Sequence, residues 1–269
     1  MSKFVDGHTA RKRFGQNFLH DPYVIDKIIA AVYPKPGQAI VEIGPGLGAL
    51  TTHLLEEAGE LDVVELDRDL IPRLQETLGH LGVLTIHAAD ALKFDFAALA
   101  EKKGKKLRIV GNLPYNISTP LLFHLLENTA VIEDMHFMLQ HEVVERMAAG
   151  ARDNAYGRLS VAVQYHCEVE YLFKVGPGAF QPAPKVDSAI VRLTPHAQPP
   201  FFAQQPDLLE KIVTSAFNQR RKTLRNALRA WATAEELNAL GIDPGLRPEV
   251  ITLEQYCAIA NFVAQRPSA

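Results

Sequence analysis

The order of apolar runs along the chain predicts an α/β fold, a mostly parallel sheet flanked by helices, followed by a small all-helical C-terminal domain. Three observations predict it. Short, wholly apolar runs bounded by turns alternate with helix-period segments, which is how strands covered on both faces read. A glycine turn, GPGLG at 44–48, joins one such run to a helical segment. Beyond the proline- and glutamine-rich stretch 195–206, only helical spacing remains.

Composition bounds what the chain can be. Its 269 residues, 47% hydrophobic and 22% charged, suit one domain plus a smaller one. The expected division is a Rossmann-like domain over 1–195, including a basic N-terminal segment, then a linker and a helical domain over 207–269. Cys167 and Cys257 stand far apart with no CxxC, which argues against a disulfide framework or a thiolate metal site and for a reducing compartment. No stretch approaches about 18 uninterrupted apolar residues, and the first 16 lack a signal peptide's apolar core. A cytoplasmic protein with no membrane partner is expected. The net charge of −3 would disfavour a nucleic-acid partner if charge were evenly spread, and it is not.

Arg11, Lys12 and Arg13 read from charge alone as a solvated tail, but Phe14, Phe18 and Leu19 follow, interleaved with amides, as in a segment that docks over something. Asp21 and Pro22 cap a helix whose apolar stripe is Val24, Ile25, Ile28, Ile29 and Val32, ended by PKPG at 34–37. Strand 39–43, the glycine turn, a helix marked by Leu50, Leu54 and Leu55, and strand 61–66 then make a βαβ unit. Glycines in that turn let a ligand approach the backbone and present amide N–H groups at a helix N-terminus. Glu65, about 20 positions on and at a strand end, can accept both hydroxyls of a ribose. The spacing is GxGxG rather than the dinucleotide GxGxxG, and Glu42 precedes it; a carboxylate there repels a pyrophosphate and suits a cation. S-adenosyl-L-methionine, with its ammonium and sulfonium, therefore fits better than NAD.

A third strand, 83–87, leads to Asp90, which can accept from an adenine amine or simply cap the next turn. Residues 102–106 read as a solvated charged turn. A fourth strand, 107–110, runs into NLPY at 112–115, followed by a polar turn and a helix. Asn112 carries a side-chain carbonyl, Pro114 biases Leu113 toward an extended conformation that can aim carbonyls into a cleft, and Tyr115 offers a stacking plane. Acceptors beside an aromatic plane suit an exocyclic amine on a flat ring, such as adenine. Strands at 135–139, 168–175 and 187–193 and a helix near 142–149 follow. Between the last two strands, GPGAFQPAP at 176–184 is a rigid loop with Phe180 at its centre, a second wall for a pocket by shape.

The C-terminal stripe runs through Leu209, Ile212, Val213, Ala216, Phe217, Leu224, Ala227, Leu228 and Trp231, with Arg221, Arg225 and Arg229 at i, i+4, i+8 on another face. The run 217–230 holds five basic residues, Lys222 among them, and no acidic one, which favours a phosphate partner. Short helices at 234–240 and 253–264 close the chain.

RKRFGQNFL at 11–19, EIGPGLGALT at 42–51, VELD at 64–67, NLPYNIST at 112–119, FQPAPKVDSAIVRL at 180–193 and FNQRRKTLRNAL at 217–228 together resemble the KsgA/RsmA family of small-subunit (16S) ribosomal RNA adenine N6,N6-dimethyltransferases. The resemblance covers nearly the whole chain, in the family's order. It implies a class I S-adenosylmethionine-dependent methyltransferase that dimethylates two adjacent adenosines in the 3′-terminal hairpin loop of the small-subunit RNA during ribosome biogenesis. Carried over by motif, Asn17 and Leu19 close over the cofactor, Gly44 meets its methionine end, Glu65 its ribose and Asp90 its adenine. Asn112 faces the methyl donor and the target amine, with the Leu113 or Pro114 carbonyl beside it, and Tyr115 and Phe180 sandwich the target base. No metal and no dedicated strong base are expected, and nothing demands more than a monomer. Large-subunit ribosomal RNA adenine methyltransferases of the antibiotic-resistance type share NxPY and FxPxPxVDS, but FNQRRKTLRNAL favours the small-subunit family. An assembly factor whose methylation is secondary and, more distantly, a nicotinamide oxidoreductase are the other readings.

Overall fold

The structure, a computed structural model, describes residues 16–266 in full and the backbone alone at 4–5 and 8–9. Arg11, Lys12, Arg13 and Phe14 lie outside the described residues. By contacts the chain divides into two compact units, Met1–Val144 with Glu170–Pro195, and Glu145–Val169 with His196–Ala269.

The first unit opens with the short strands β1 (Phe4–Val5) and β2 (His8–Thr9), paired antiparallel, then β3 (Phe18–Leu19) and helix α1 (Pro22–Val32). Asp21 caps α1 by accepting from the Tyr23 and Val24 N–H groups, and Ile25, Ile28 and Val32 face the core. Next come β4 (Ala39–Ile43), α2 (Ala49–Ala58), β5 (Glu60–Glu65), α3 (Ile71–Leu78), β6 (Val83–Ala88), α4 (Phe96–Lys103), β7 (Leu107–Asn112), α5 (Ser118–Leu126), β8 (Ile132–Gln140) and α6 (His141–Ala148). Past α7 (Arg158–His166) the chain runs through β9 (Cys167–Val175), β10 (Phe180–Gln181) and β11 (Ser188–Pro195). Seven strands form one sheet in the order β6-β5-β4-β7-β8-β11-β9. β4, β5, β6, β7 and β8 pair in parallel, and β11 runs antiparallel to β8. All five residues of β4 are buried, as a central parallel strand covered on both faces requires. The apolar runs thus place each strand of the sheet to within a few residues.

Strand β7 also anchors α1. Arg108, 6% exposed, grips Asp134 through Nε and Nη2 at 2.9 and 2.8 Å. The same guanidinium donates to the Val32 carbonyl at 2.7 Å and to Gln38 Oε1 at 2.8 Å, while Arg192 of β11 donates to the Ala31 carbonyl at 3.0 Å. Two guanidinium groups therefore satisfy carbonyls left open at the C-terminus of α1, where cations are favoured.

Three local expectations change. Residues 104–106 are the exposed turn expected, but Lys102 and Lys103 end α4, and Lys103 Nζ bridges Glu60 at 2.5 Å and the buried Asp62 at 2.6 Å. Residues 145–169, expected in the 1–195 domain, cluster with the second unit, whose core includes Tyr156, Val161 and Tyr165 beside Leu209, Ile212 and Tyr256. The stretch 195–206 is no free linker. Ala203 is buried in that same core, and Asn261 ties the stretch down by accepting from Gln204 N–H and donating to the Phe202 carbonyl.

The second unit is completed by α8 (Pro206–Asn218), α9 (Leu224–Ala227), α10 (Ala234–Ala239) and α11 (Leu253–Ala264). Reciprocal capping boxes start the last two, Thr233 with Glu236 and Thr252 with Gln255. Two of its buried phenols bond backbone carbonyls, Tyr156 donating to that of Ile251 and Tyr256 to that of Pro248. Both cysteines are free and buried, and among the described residues no helix is long and apolar enough to cross a membrane.

Replacing Arg108 by Ala strands the Asp134 carboxylate and opens the end of α1. Loss of one partner of a buried ion pair typically costs about 3–5 kcal/mol. Urea unfolding of Arg108→Ala is expected to show a loss of that order, and a change below about 1 kcal/mol would contradict the anchoring role.

Candidate active site

From β4 the chain moves outward to β5 and β6, then returns to β7 on the other side of β4. The loops after β4 and β7 therefore part above the carboxyl ends of neighbouring parallel strands, where α/β sheets open a crevice. A cavity lies there, lined by residues 42–47, 49–50, 64–66, 89–91 and 112–117, with 16–19 alongside. It gathers Asn17, Leu19, Gly44, Glu65, Asp90, Asn112, Leu113, Pro114 and Tyr115, residues of widely separated stretches of chain.

Close approach of β4 and β7 sets the floor. A Cβ at Gly111 would meet the Ile43 carbonyl oxygen at 2.8 Å, so glycine is what lets NLPY follow so near the glycine turn. That turn coils with Gly44, Gly46 and Gly48 all at positive φ, a region other residues reach only with strain.

The three glycine amides of the turn are not the ones displayed to the cavity. Gly44 N–H donates to the Val64 carbonyl at 3.0 Å, Gly48 N–H to that of Pro45 at 2.9 Å, and Gly46 N–H to Glu65 Oε2 at 3.4 Å. The glycine amides are spent inside the protein. What the cavity shows instead is acceptor chemistry, with three carboxyl groups, Glu42, Glu65 and Asp90, in its lining. Among the described lining residues none is Lys, Arg or His. Such a site repels a pyrophosphate and suits a nucleoside bearing positive charge.

Each carboxyl is held differently. Glu65 accepts from Asp67 N–H at 2.7 Å and from Gly46 N–H, which support its ionised form, although burial raises its pKa overall. Glu42, 2% exposed, has a single donor among the described residues, Thr51 Oγ1 at 2.6 Å. Burial pushes its pKa up to about 8, the Thr51 hydroxyl opposes that, and the Glu65 charge adds to it. Asp90 accepts from Leu92 N–H at 3.0 Å, so it caps its turn while lining the cavity; the two readings of its position are compatible.

At the other wall, Asn112 Nδ2 donates to the Asn17 carbonyl at 3.0 Å. The amide's donor end thus faces the 16–19 segment and leaves Oδ1 as the acceptor end. Of the two neighbouring carbonyls, that of Pro114 already accepts from Ile117 N–H at 3.1 Å. Leu113 N–H is held by the Met138 carbonyl at 3.2 Å, and among the described residues nothing donates to the Leu113 carbonyl. The Tyr115 hydroxyl bonds Ser188 Oγ at 2.6 Å, tethering the ring to β11, and burial raises its pKa, with the Ser188 bond opposing.

Phe180 is the exception among the motif residues. It lies in β10, paired antiparallel with β3 opposite Leu19, and is 3% exposed in a core with Ile25, Ile28 and Val175. It supports the 16–19 segment from behind and does not line the cavity. That its aromatic ring turns into the core rather than out of it was not legible in the sequence.

The basic run differs from the expected continuous helix. α8 ends at Asn218, and the amides that would carry it onward turn elsewhere, Leu224 N–H to the Leu246 carbonyl at 2.6 Å and Arg225 N–H to that of Pro244 at 3.1 Å. Arg221, Lys222, Arg225 and Arg229 are nevertheless all exposed, now on a turn and the ends of α9. Exposed Arg247 shares that 244–249 loop, a cation no periodicity argument could have joined to them. Ser188, Thr51 and Asp67 were likewise unforeseen as supports, since only the folded register brings them to the site.

The model of the family described as ribosomal RNA adenine dimethylase matches residues 7–265. A protein of Pseudomonas aeruginosa named ribosomal RNA small subunit methyltransferase A is 60% identical over 260 residues, 97% of either chain. Its namesake in Aeromonas hydrophila is 57% identical over 263 residues, 98% of this chain and 97% of that one. Among solved structures, a dimethyladenosine transferase from Plasmodium falciparum superposes with a TM-score of 0.76 at 27% identity, covering 90% of this chain and 95% of that one. The 23S rRNA methyltransferase ErmE does so with 0.70 at 28%, covering 93% and 100%. A class I methyltransferase sheet whose switch-point cavity carries NLPY, matched over nearly its full length, leaves one assignment: the chain belongs to the ribosomal RNA adenine dimethylase family.

Proposed function

We infer that this protein transfers methyl groups from S-adenosyl-L-methionine to N6 of two adjacent adenosines in the 3′-terminal hairpin loop of 16S ribosomal RNA, within the small subunit. The observation that carries this reading is the orientation of Asn112, whose amide is held by the Asn17 carbonyl so that Oδ1 and the neighbouring Leu113 carbonyl are left as acceptors. Membership of the family and the names of its relatives support the substrate class. The small-subunit target is preferred to the large-subunit one because proteins of that name match at 57–60% identity, against 28% for ErmE.

The chain's own residues have three tasks. Glu65 and Asp90 receive the donor hydrogen atoms of a nucleoside, Glu65 those of the ribose and Asp90 that of the adenine amine, while Asn17, Leu19 and Gly44 shape the approach to it. When bound, S-adenosylmethionine supplies an electrophilic methyl group on a sulfonium. Asn112 Oδ1 and the Leu113 carbonyl accept from the target N6 amine. An adenine N6 is a poor nucleophile because its lone pair is delocalised into the ring; two acceptors favour the pyramidal amine and stabilise the positive charge that develops on it. Tyr115, tethered through Ser188, offers its ring as the stacking plane. The base must leave its stack to reach this cavity, which costs least in a single-stranded loop. Phe180 acts through the 16–19 segment, as a positioning residue, rather than by touching the base. Arg221, Lys222, Arg225 and Arg229 supply phosphate contacts that hold the subunit.

Nucleoside mass spectrometry on unmethylated small subunits is expected to show two N6,N6-dimethyladenosines in the 3′-terminal fragment. Asn112→Ala should lower the rate by about 10²–10³-fold, the usual effect of removing one transition-state hydrogen bond, while still binding subunits. Methylation at the wild-type rate would remove Asn112 from the chemistry, and product on large-subunit RNA instead would reassign the substrate.

For the basic surface, Arg221→Glu with Arg225→Glu should weaken subunit binding and reduce the slope of log affinity against log salt by roughly 2, about one per lost phosphate contact. An unchanged slope would place the contact surface elsewhere.

A further inference from the structure

Glu42 and Glu65 stand on neighbouring parallel strands and line the same cavity, yet their hydrogen-bond supply is unequal. Glu65 takes two backbone N–H donors; Glu42, at 2% exposure, takes one hydroxyl, which can also accept from a protonated carboxyl. The other elements around the cavity bring no compensating cation among the described residues. β5 and its loop bring Glu65 and Asp67, β6 brings Asp90, α2 brings only the neutral Thr51, and β7 and the 16–19 segment bring amides. Two buried carboxylates facing one cation-free cavity cannot both ionise without cost, and the proton goes to the one with fewer donors.

We propose that Glu42 keeps a proton until a positively charged ligand enters the cavity and then releases it to solvent, so that Glu42 selects the ligand by charge and binding is coupled to proton release. The balance is simple. The Glu42 carboxyl O–H bond breaks, the proton passes to buffer, and the carboxylate left behind faces the incoming positive charge. The raised pKa of Glu42, about 8 through burial, agrees with the geometry: the protonated form is favoured at pH 7. The sign follows. A ligand that prefers the ionised carboxyl binds more tightly as pH rises, by up to about tenfold per pH unit below pH 8, and the gain ends above it.

This inference rests on the reading that the ligand is S-adenosylmethionine, and the test separates the two. The full chain is titrated with S-adenosylmethionine by calorimetry at pH 7 in buffers of different ionisation enthalpy, which counts protons exchanged on binding. The ligand's own amine titrates near pH 8, so the count is compared with that of Glu42→Gln, an uncharged isostere of the protonated state. The expected difference is close to one additional proton released by the native protein, with affinity that rises between pH 6 and 8 in the native protein and stays nearly flat in the variant. Binding with equal proton counts in the two overturns the proposal alone; no binding of S-adenosylmethionine to the native protein overturns the reading beneath it as well. If Glu42→Gln does not fold, Thr51→Val serves in its place. By removing the Thr51 hydroxyl that donates to the carboxylate it should move the rise in affinity to higher pH, and an unmoved profile counts against the proposal.

Discussion

The site depends on one topological constraint, the reversal of strand order beside β4. Parallel strands need crossovers, and the crossovers from β4 toward β5 and back toward β7 leave in opposite directions. Two loops that would otherwise pack together are forced apart, and the gap between them is the cavity. Everything chemical is then hung on strand ends: the glycine turn on β4, Glu65 on β5, Asp90 just past β6, Asn112 on β7. Rigidity of the sheet is what makes these positions dependable, because each functional group sits within a few residues of a ladder of backbone hydrogen bonds. Gly111 shows how narrow the tolerance is, since a single Cβ there would press on the backbone of β4.

Within that gap the protein uses its polar groups in an uneven way. Donors are consumed internally: the three glycine amides, the Leu113 amide and the Asn112 side-chain amide all bond to protein acceptors. Acceptors are left facing inward. The consequence is a bias by sign, because among the described lining residues there is no cationic side chain and the three glycine amides are already bonded, whereas positively charged, hydroxyl and amine groups meet oxygen acceptors. A glycine-rich turn after a first strand is often read as a phosphate cradle; here its three glycine amides are bonded within the protein instead.

What could be read from residues alone was whatever is determined locally. The strand runs, the Asp21–Pro22 cap and the GxGxG–Glu65 spacing depend on near neighbours, and all appear in the structure where the pattern put them. The errors share one cause, tertiary contacts overriding local preference. The helical spacing of 209–231 is genuine, yet α8 stops because the Leu224 and Arg225 amides pair with the distant 244–246 loop. Lys103 looked solvated until the sheet edge brought Glu60 and Asp62 to it. Phe180 is drawn into the core because β10 pairs with β3, a two-residue ladder too short for any periodicity to announce. The placing of 145–169 with the second unit was hidden for the same reason, since Tyr156 and Tyr165 share a core with Leu209, Ile212 and Tyr256, far along the chain.

The amide at position 112 illustrates how these constraints meet in one side chain. A carboxylate there would stabilise positive charge on a target amine more strongly than an amide does, so electrostatics alone would choose Asp. But Asp has no N–H to give the Asn17 carbonyl, and the present 3.0 Å hydrogen bond would become a contact between two acceptors. The 16–19 segment would lose that tether to the β7 side of the cavity, although Gln16 would still hold to Asp67 and β3 to β10. A fourth carboxyl in a cavity that already contains Glu42, Glu65 and Asp90 would also raise the cost of ionising its neighbours. Asparagine alone among the small polar residues supplies a donor on one end and an acceptor on the other at fixed separation. It ties the 16–19 segment down with the first and leaves the second as an acceptor in the cavity, so one bond fixes both.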